Sequence, residues 1–233
     1  MTSSAAARRE RDAEGARLAL LDAAEVAFAA NGFDGARIDA IAEASGYNKS
    51  LIFHYFGDKL GLYAEVIRRA DNEMTELQAR VLTPLLADET IASNARAFKA
   101  LLEKIVTALF DYLVEHPLFM RILVWEQAEG WQIYAKIISQ FNTEDAEPFE
   151  ALFRKARSAG LLRSDFVSLI QLTMALQICL SYLTFIPLYQ MALHLDEDLS
   201  SSAALVRARE YIVAYVVHGM MIDLPETQSK ERR

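Results

Sequence analysis

No proline precedes Pro84, and six of the nine glycines (Gly15, Gly32, Gly35, Gly46, Gly57 and Gly61) lie within the first 61 residues. Proline disrupts helix interiors, and glycine suits the left-handed position just past a helix end. The placement predicts short helices with tight turns up to about residue 60 and longer helices after it. Periodicity agrees. Leu18, Leu21, Ala24 and Phe28 recur at helical spacing within Ala16–Ala30, which Asn31-Gly32 stops. Arg37–Ala44 and Asn48–Tyr55 follow, with Asn48 as an N-cap whose side chain accepts an unpaired first-turn amide. Beyond them the pattern predicts helices over Lys59–Leu82, Thr90–Glu115, Pro117–Gly130, Trp131–Phe141, Pro148–Ala159, Asp165–Leu193 and Ser201–Ile222. No stretch alternates as a strand would and no internal repeat is present, so the fold class is all-α.

The 233 residues divide into a flexible basic arm (1–13), a small domain (14–60), a larger helical domain (61–222) and a flexible tail (223–233). A single cysteine, Cys179, excludes an internal disulfide and a thiolate metal site. The N-terminus lacks the apolar core of a signal peptide, which with the lone cysteine predicts a cytoplasmic protein.

Charge argues against nucleic acid at first sight. The chain carries a net −8, and residues 1–60 hold 7 basic against 9 acidic side chains. A DNA-binding reading must therefore rest on placement: Arg8, Arg9 and Arg11 in the arm, and Arg37, Lys49 and Lys59 further on. Residues 166–193 contain no charge at all, more than the roughly 20 residues that span a bilayer. Yet Thr173, Gln177, Ser181 and Thr184 draw a polar stripe down one face, Pro187 interrupts the run, and both flanks are acidic. That pattern fits a helix buried in a bundle or subunit interface better than a membrane span.

Residues 37–59 carry the sharpest signal. Three short helices with a Ser45-Gly46-Tyr47 turn between the second and third fit a helix-turn-helix, whose second helix enters the major groove. At 100° per residue from Lys49, the side chains Lys49, Ser50, Phe53 and His54 fall between about 0° and 140°, and Leu51, Ile52 and Tyr55 between about 200° and 300°. One face packs; the other presents a cation, a hydroxyl, an imidazole and an aromatic ring. Tyr55 and Phe56 are read as core.

The run from Ile38-Asp39-Ala40-Ile41-Ala42 through Ser45-Gly46-Tyr47-Asn48-Lys49-Ser50 to Phe53-His54-Tyr55-Phe56-Gly57-Asp58-Lys59 resembles the DNA-binding signature of the tetracycline-repressor (TetR) family. The likeness covers roughly residues 14–65; beyond it, only helicity and length agree. It implies a homodimeric, ligand-responsive transcription regulator, usually a repressor, on a palindromic double-stranded DNA operator. By position it implies DNA contacts from Arg37, Asn48, Lys49, Ser50, Phe53, His54 and Lys59. Two departures stand out. Ala36-Arg37 replaces the usual Thr or Ser cap of the second helix, which turns Arg37 toward a backbone contact. Phe53 replaces a common Tyr, leaving packing or an apolar base contact.

Catalysis finds little support. His54, His116, His194 and His218 are scattered without a Glu-x-x-His pair, and no metalloprotease, nucleophile-elbow or phosphate-loop motif occurs. No catalytic residue, metal or cofactor is expected. Glu126 and Glu129, beside Trp125 and Trp131, read as an exposed carboxylate pair. A helical-bundle enzyme, or a small-molecule-binding protein without DNA activity, is the alternative; a helical adaptor would leave the Lys49 face without a purpose. For a small organic effector, neutral or weakly polar, the candidate pocket residues are Phe110, Phe119, Trp125, Tyr134, Met174, Gln177 and Tyr182. For the homodimer, Leu205, Ala208, Ile212, Tyr215 and Gly219 form an apolar stripe on the last helix, to be paired with the uncharged helix before it.

Overall fold

A computed structural model describes residues 2–86, 90–138, 147–163, 167–194 and 196–222, with backbone alone for 2–11, 74–75, 77–86 and 148. Ten helices account for nearly all of it: α1 Thr2–Gly35, α2 Ile38–Ser45, α3 Lys49–Phe56, α4 Lys59–Leu86, α5 Ala95–Glu115, α6 Pro117–Ala128, α7 Gln132–Ile138, α8 Glu147–Ser158, α9 Ser168–Ala192 and α10 Ser202–Met220. Among the described residues the only β-type pairing is an isolated bridge between Leu162 and Met221. The chain is all-α, as the periodicity predicts. Helix α1 runs back to Thr2 through the expected arm; the side chains of Arg8, Arg9 and Arg11, like the tail 223–233, lie outside the described residues.

Packing groups the chain into two compact units, Met1–Thr75 with His116–Phe141, and Glu76–Glu115 with Asn142–Arg233. Helices α6 and α7, which sequence order assigns to the larger domain, pack with the first unit. There α1 lies against α2 and α6. Because it serves neighbours on more than one side, its buried stripe is broader than a single helical series. Ala16, Leu20, Leu21, Ala24 and Phe28 are buried, whereas Leu18, expected in the stripe, faces out. Arg69 on α4 straps α1 by donating to Asp22 at 2.7 Å and to Glu25, and Arg17 pairs with Glu65.

In the second unit α5 packs on α9 and α10, and α8 on α9. Phe98 meets Phe153 edge-on at 5.6 Å, and Phe149 lies 4.7 Å from the same ring. Arg209 donates to both carboxylate oxygens of Asp111 at 2.9 Å, joining α10 to α5. Helix α9 is long and apolar enough to cross a membrane by length and composition alone. Its core side holds Ser168, Gln171, Ala175, Cys179, Leu180 and Ile186, while Leu169, Met174, Phe185, Leu188 and Met191 face outward.

Candidate nucleic-acid interface

The turn between α2 and α3 is built from four residues with separate tasks. Gly46 closes α2 in the left-handed conformation, at φ 74°, and its N–H reaches the Glu43 carbonyl at 3.2 Å. Tyr47 N–H returns to the Ala42 carbonyl at 3.2 Å, so the last carbonyls of α2 are satisfied before the chain turns. Ser45 Oγ donates to Ala42 O at 2.9 Å. Asn48 then caps α3: its Oδ1 accepts Leu51 N–H at 3.0 Å. Opposite the turn, Gly61 lets α4 begin tightly, since a Cβ there would lie 2.0 Å from the Phe56 carbonyl oxygen. Asp58 Oδ1 accepts Gly61 N–H at 2.7 Å.

Short as it is, α3 is anchored along its packed side. Ile52 is fully buried and Phe56 nearly so. The Tyr55 hydroxyl donates to Ala13 O at 3.2 Å, and the Arg17 guanidinium lies over the Phe56 ring at 5.8 Å. An isolated helix of this length would not persist, so its order comes from these contacts. Lys49, Ser50, Phe53 and His54 all face outward, and Phe53 is 44% exposed.

Three of the expected contact residues, Lys49, Ser50 and Lys59, have definite present partners. Lys49 Nζ pairs with Asp39 on α2 at 2.8 Å, and that hydrogen bond holds the exposed Asp39 carboxyl below its ordinary value. The Ser50 hydroxyl donates to Asn48 Oδ1 at 2.6 Å, which leaves its lone pairs to accept. Lys59 Nζ donates to Asp34 O at 3.1 Å and sits 4.8 Å above the Phe33 ring, with two further N–H donors for an anion. Arg37 occupies the N-cap of α2 in extended geometry and makes no capping bond. Sequence reasoning passed over Asp39 and Tyr47. Asp39 sits ten positions before Lys49, a separation that becomes a contact only through the turn; Tyr47 stands exposed at the entrance to α3.

The expected effector residues are divided between the two units. Phe119, Trp125 and Tyr134 belong to the first unit and Phe110, Met174, Gln177 and Tyr182 to the second. Phe110 and Tyr182 approach at 6.3 Å between ring centres. Met174 and Gln177, with Leu169, Ile170, Thr173 and Ile178, line an open groove of about 510 Å³ on the outward side of α9. Two members of the polar stripe are spent locally: Thr173 and Thr184 hydroxyls donate to Leu169 and Leu180 carbonyls, each at 2.7 Å. Of the α10 stripe, Ile212 is 4% exposed and belongs to its own protomer's core, Leu205 and Ala208 are half-buried, and Tyr215 and Gly219 face out. Glu126 is not the exposed carboxylate its neighbours suggested: it is buried and accepts a hydrogen bond from the Tyr63 hydroxyl of α4. Among the described residues no group of His, Cys, Asp and Glu is arranged to hold a metal ion.

Two family models match. Bacterial regulatory proteins of the tetR family match residues 20–66, and the tetracyclin repressor-like C-terminal domain matches residues 99–216, half of the chain. The HTH-type transcriptional repressor SCO4008 of Streptomyces coelicolor is 34% identical over 119 residues, which cover 51% of this chain and 53% of that protein. The match thus spans about half of that relative's length. The HTH-type transcriptional repressor NicS of Pseudomonas putida is 25% identical over 177 residues, 75% of this chain and 78% of NicS. A crystal structure of a TetR family transcription regulator from Marinobacter aquaeolei superposes with a TM-score of 0.62 at 17% identity, covering 91% of this chain and 98% of that one, and shows the shared fold.

Proposed function

The chain belongs to the tetR family of bacterial regulatory proteins; we propose that it is a DNA-binding transcription regulator and not an enzyme, a cytoplasmic repressor acting as a homodimer on a palindromic operator and released by a small organic effector. In this reading residues 14–60 bind DNA and residues 61–222 dimerise and take the effector. The observation that carries it is α3 itself, rigidly capped and buried along Ile52 and Phe56, with Lys49, Ser50, Phe53 and His54 left to face a groove. Lys49 and Lys59 neutralise phosphates, Arg37 and Tyr47 flank them, and Phe53 and His54 meet base edges. Phosphate contacts set register and base contacts set sequence.

Dimerisation draws support from the outward side chains of α9 and α10. Leu169, Met174, Phe185, Leu188, Met191, Tyr211 and Tyr215 are all exposed in a single protomer. Soluble monomers rarely expose contiguous apolar surface beyond a few hundred Å². A second copy, related by a two-fold axis, buries that surface and sets two recognition helices roughly 34–36 Å apart or slightly more. The effector must bind the DNA-free form more tightly than the bound form, since only differential affinity shifts an equilibrium.

The test is binding of a duplex selected from a random-sequence library by the full-length protein, across a salt series. Lys49→Ala is expected to weaken binding and to flatten the salt dependence by about 0.9 log units per log unit of salt, the value for one lost phosphate contact. Unchanged affinity and slope would show that α3 does not face the DNA.

A further inference from the structure

Behind the helix-turn-helix lies a polar contact that no DNA-facing residue explains. Glu126 on α6 is 1% exposed. Its Oε1 accepts the Tyr63 hydroxyl of α4 at 2.6 Å, and its Oε2 accepts the Tyr134 N–H of α7 at 3.0 Å. No cationic side chain among the described residues pairs with this carboxylate. Burying a carboxyl group without a cationic partner is costly, and an apolar side chain would fill such a place at less cost. What a carboxyl group adds is direction, because each of its two oxygens is satisfied only with its own donor in place, Tyr63 of α4 on one and Tyr134 of α7 on the other. Burial, the bond to Glu126 and the nearby Glu129 charge all push the Tyr63 hydroxyl well above the usual phenol range, so it stays a donor.

From Tyr63 the packing leads to the DNA-facing side. The Tyr63 ring meets Phe28 edge-on at 4.7 Å and lies 5.1 Å from Phe33, the ring beneath the Lys59 ammonium. Helix α6 also grips the end of α1 directly. Trp125 Nε1 donates to Ala29 O at 3.2 Å, and a Cβ on Gly32 would lie 3.1 Å from both the Trp125 ring and Glu129 Oε1.

We propose that Glu126 is a positioning residue for DNA binding, fixing the end of α1 and the start of α4 against α6 through Tyr63 and the Phe28–Phe33–Lys59 stack. The proposal rests on the DNA-binding reading of the Lys49 and Lys59 face. Loosening this lock admits arrangements that do not fit an operator, and apparent affinity falls by the fraction of molecules left competent. Contacts to phosphate alone tolerate such looseness better than contacts to base edges, so specific binding suffers more than non-specific binding.

The experiment measures full-length wild type, Tyr63→Phe, Glu126→Leu and Glu126→Gln against the library-selected duplex and against a random-sequence duplex, at a temperature where circular dichroism shows each variant folded. Tyr63→Phe and Glu126→Leu are expected to bind the selected duplex about tenfold more weakly, the scale of one lost buried hydrogen bond, and the random duplex within about twofold of wild type. Glu126→Gln keeps an acceptor for Tyr134 N–H and an amide donor for the Tyr63 oxygen, and is expected to stay within about threefold. Wild-type affinity for the selected duplex in Tyr63→Phe overturns the proposal, as does an equal loss on both duplexes. Tyr63→Phe decides the matter if Glu126→Leu fails to fold. If Lys49→Ala also binds normally, the DNA-facing reading fails with it; if Lys49→Ala is weakened and Tyr63→Phe is not, the lock alone is wrong.

Discussion

Replacing Gln171 by Leu should stabilise this protein. Gln171 sits on the core side of α9, 5% exposed, in register with Ser168, Ala175 and Cys179. Neither Nε2 nor Oε1 has a hydrogen-bond partner. An amide removed from water without compensation costs about 1–3 kcal/mol on scales drawn from protein mutants. Leucine is close in size, carries no polar atom and leaves no large cavity, so most of that cost is recovered. The expected gain is about 1–3 kcal/mol, and each kcal/mol raises Tm by roughly 2–4 °C in a chain of this length. Urea denaturation at fixed protomer concentration is the assay, because association makes apparent stability depend on concentration. The midpoint should rise with the slope unchanged. Gln171→Met, unbranched and flexible, controls for shape. If both variants lose about 1 kcal/mol or more, the amide is paired in the folded protein and the reasoning fails.

Other perturbations read other parts of the structure. Asp39→Asn frees Lys49 and removes a carboxylate beside the proposed DNA path, so duplex affinity at low salt should rise a few-fold; a fall would mean that the Asp39 pair orients Lys49. Glu150 is held down to about 2, first by the Ser168 hydroxyl and then by Arg157, against an ordinary 4.5. A depressed carboxyl stabilises the fold above its unfolded value and loses that contribution as pH falls from 4.5 toward 2, so Ser168→Ala should be less stable at pH 7 and show a shallower acid loss in a pH series of urea melts. Tyr211→Asp with Tyr215→Asp, both on exposed positions, should give a helical monomer by sedimentation, and a dimer that survives would place the subunit contact elsewhere.

What the sequence disclosed, and what it hid, follows from how many neighbours an element has. Helix α3 has one packed side and one open side, so a plain helical projection separated Lys49, Ser50, Phe53 and His54 from Leu51, Ile52 and Tyr55, and the exposures follow the same division. Helix α1 has partners on more than one side, so a single stripe misjudged Leu18 and omitted Leu20. Ile212 fits an apolar stripe equally well whether that stripe meets a second protomer or α5, and periodicity cannot tell them apart; it is core. Glu126 was beyond reach for a different reason. Buried, it is bonded by Tyr63, sixty-three positions earlier, and nothing local to Glu126-Gln127-Ala128-Glu129 announces that donor.

The same distinction resolves the apparent conflict between an acidic chain and a nucleic-acid ligand. A net charge of −8 is a sum over 233 residues, whereas a phosphate beside α3 feels charges only within about one Debye length, roughly 10 Å at 0.1 M salt. Within that range Asp39 lies nearest to Lys49, at 2.8 Å, with Arg37 also acting on its carboxyl. It nearly cancels the cation for any anion approaching from afar, which lowers non-specific attraction and the rate of encounter. A phosphate seated by correct docking can compete for the ammonium directly, and the cation is then fully used. On the proposed DNA path, the acid beside Lys49 is therefore expected to raise the ratio of specific to non-specific binding, the quantity that matters among the many competing sites of a genome. Asp39→Asn should accordingly strengthen binding to random duplex by a larger factor than binding to a selected one. An equal gain on both would show that Asp39 contributes only general repulsion.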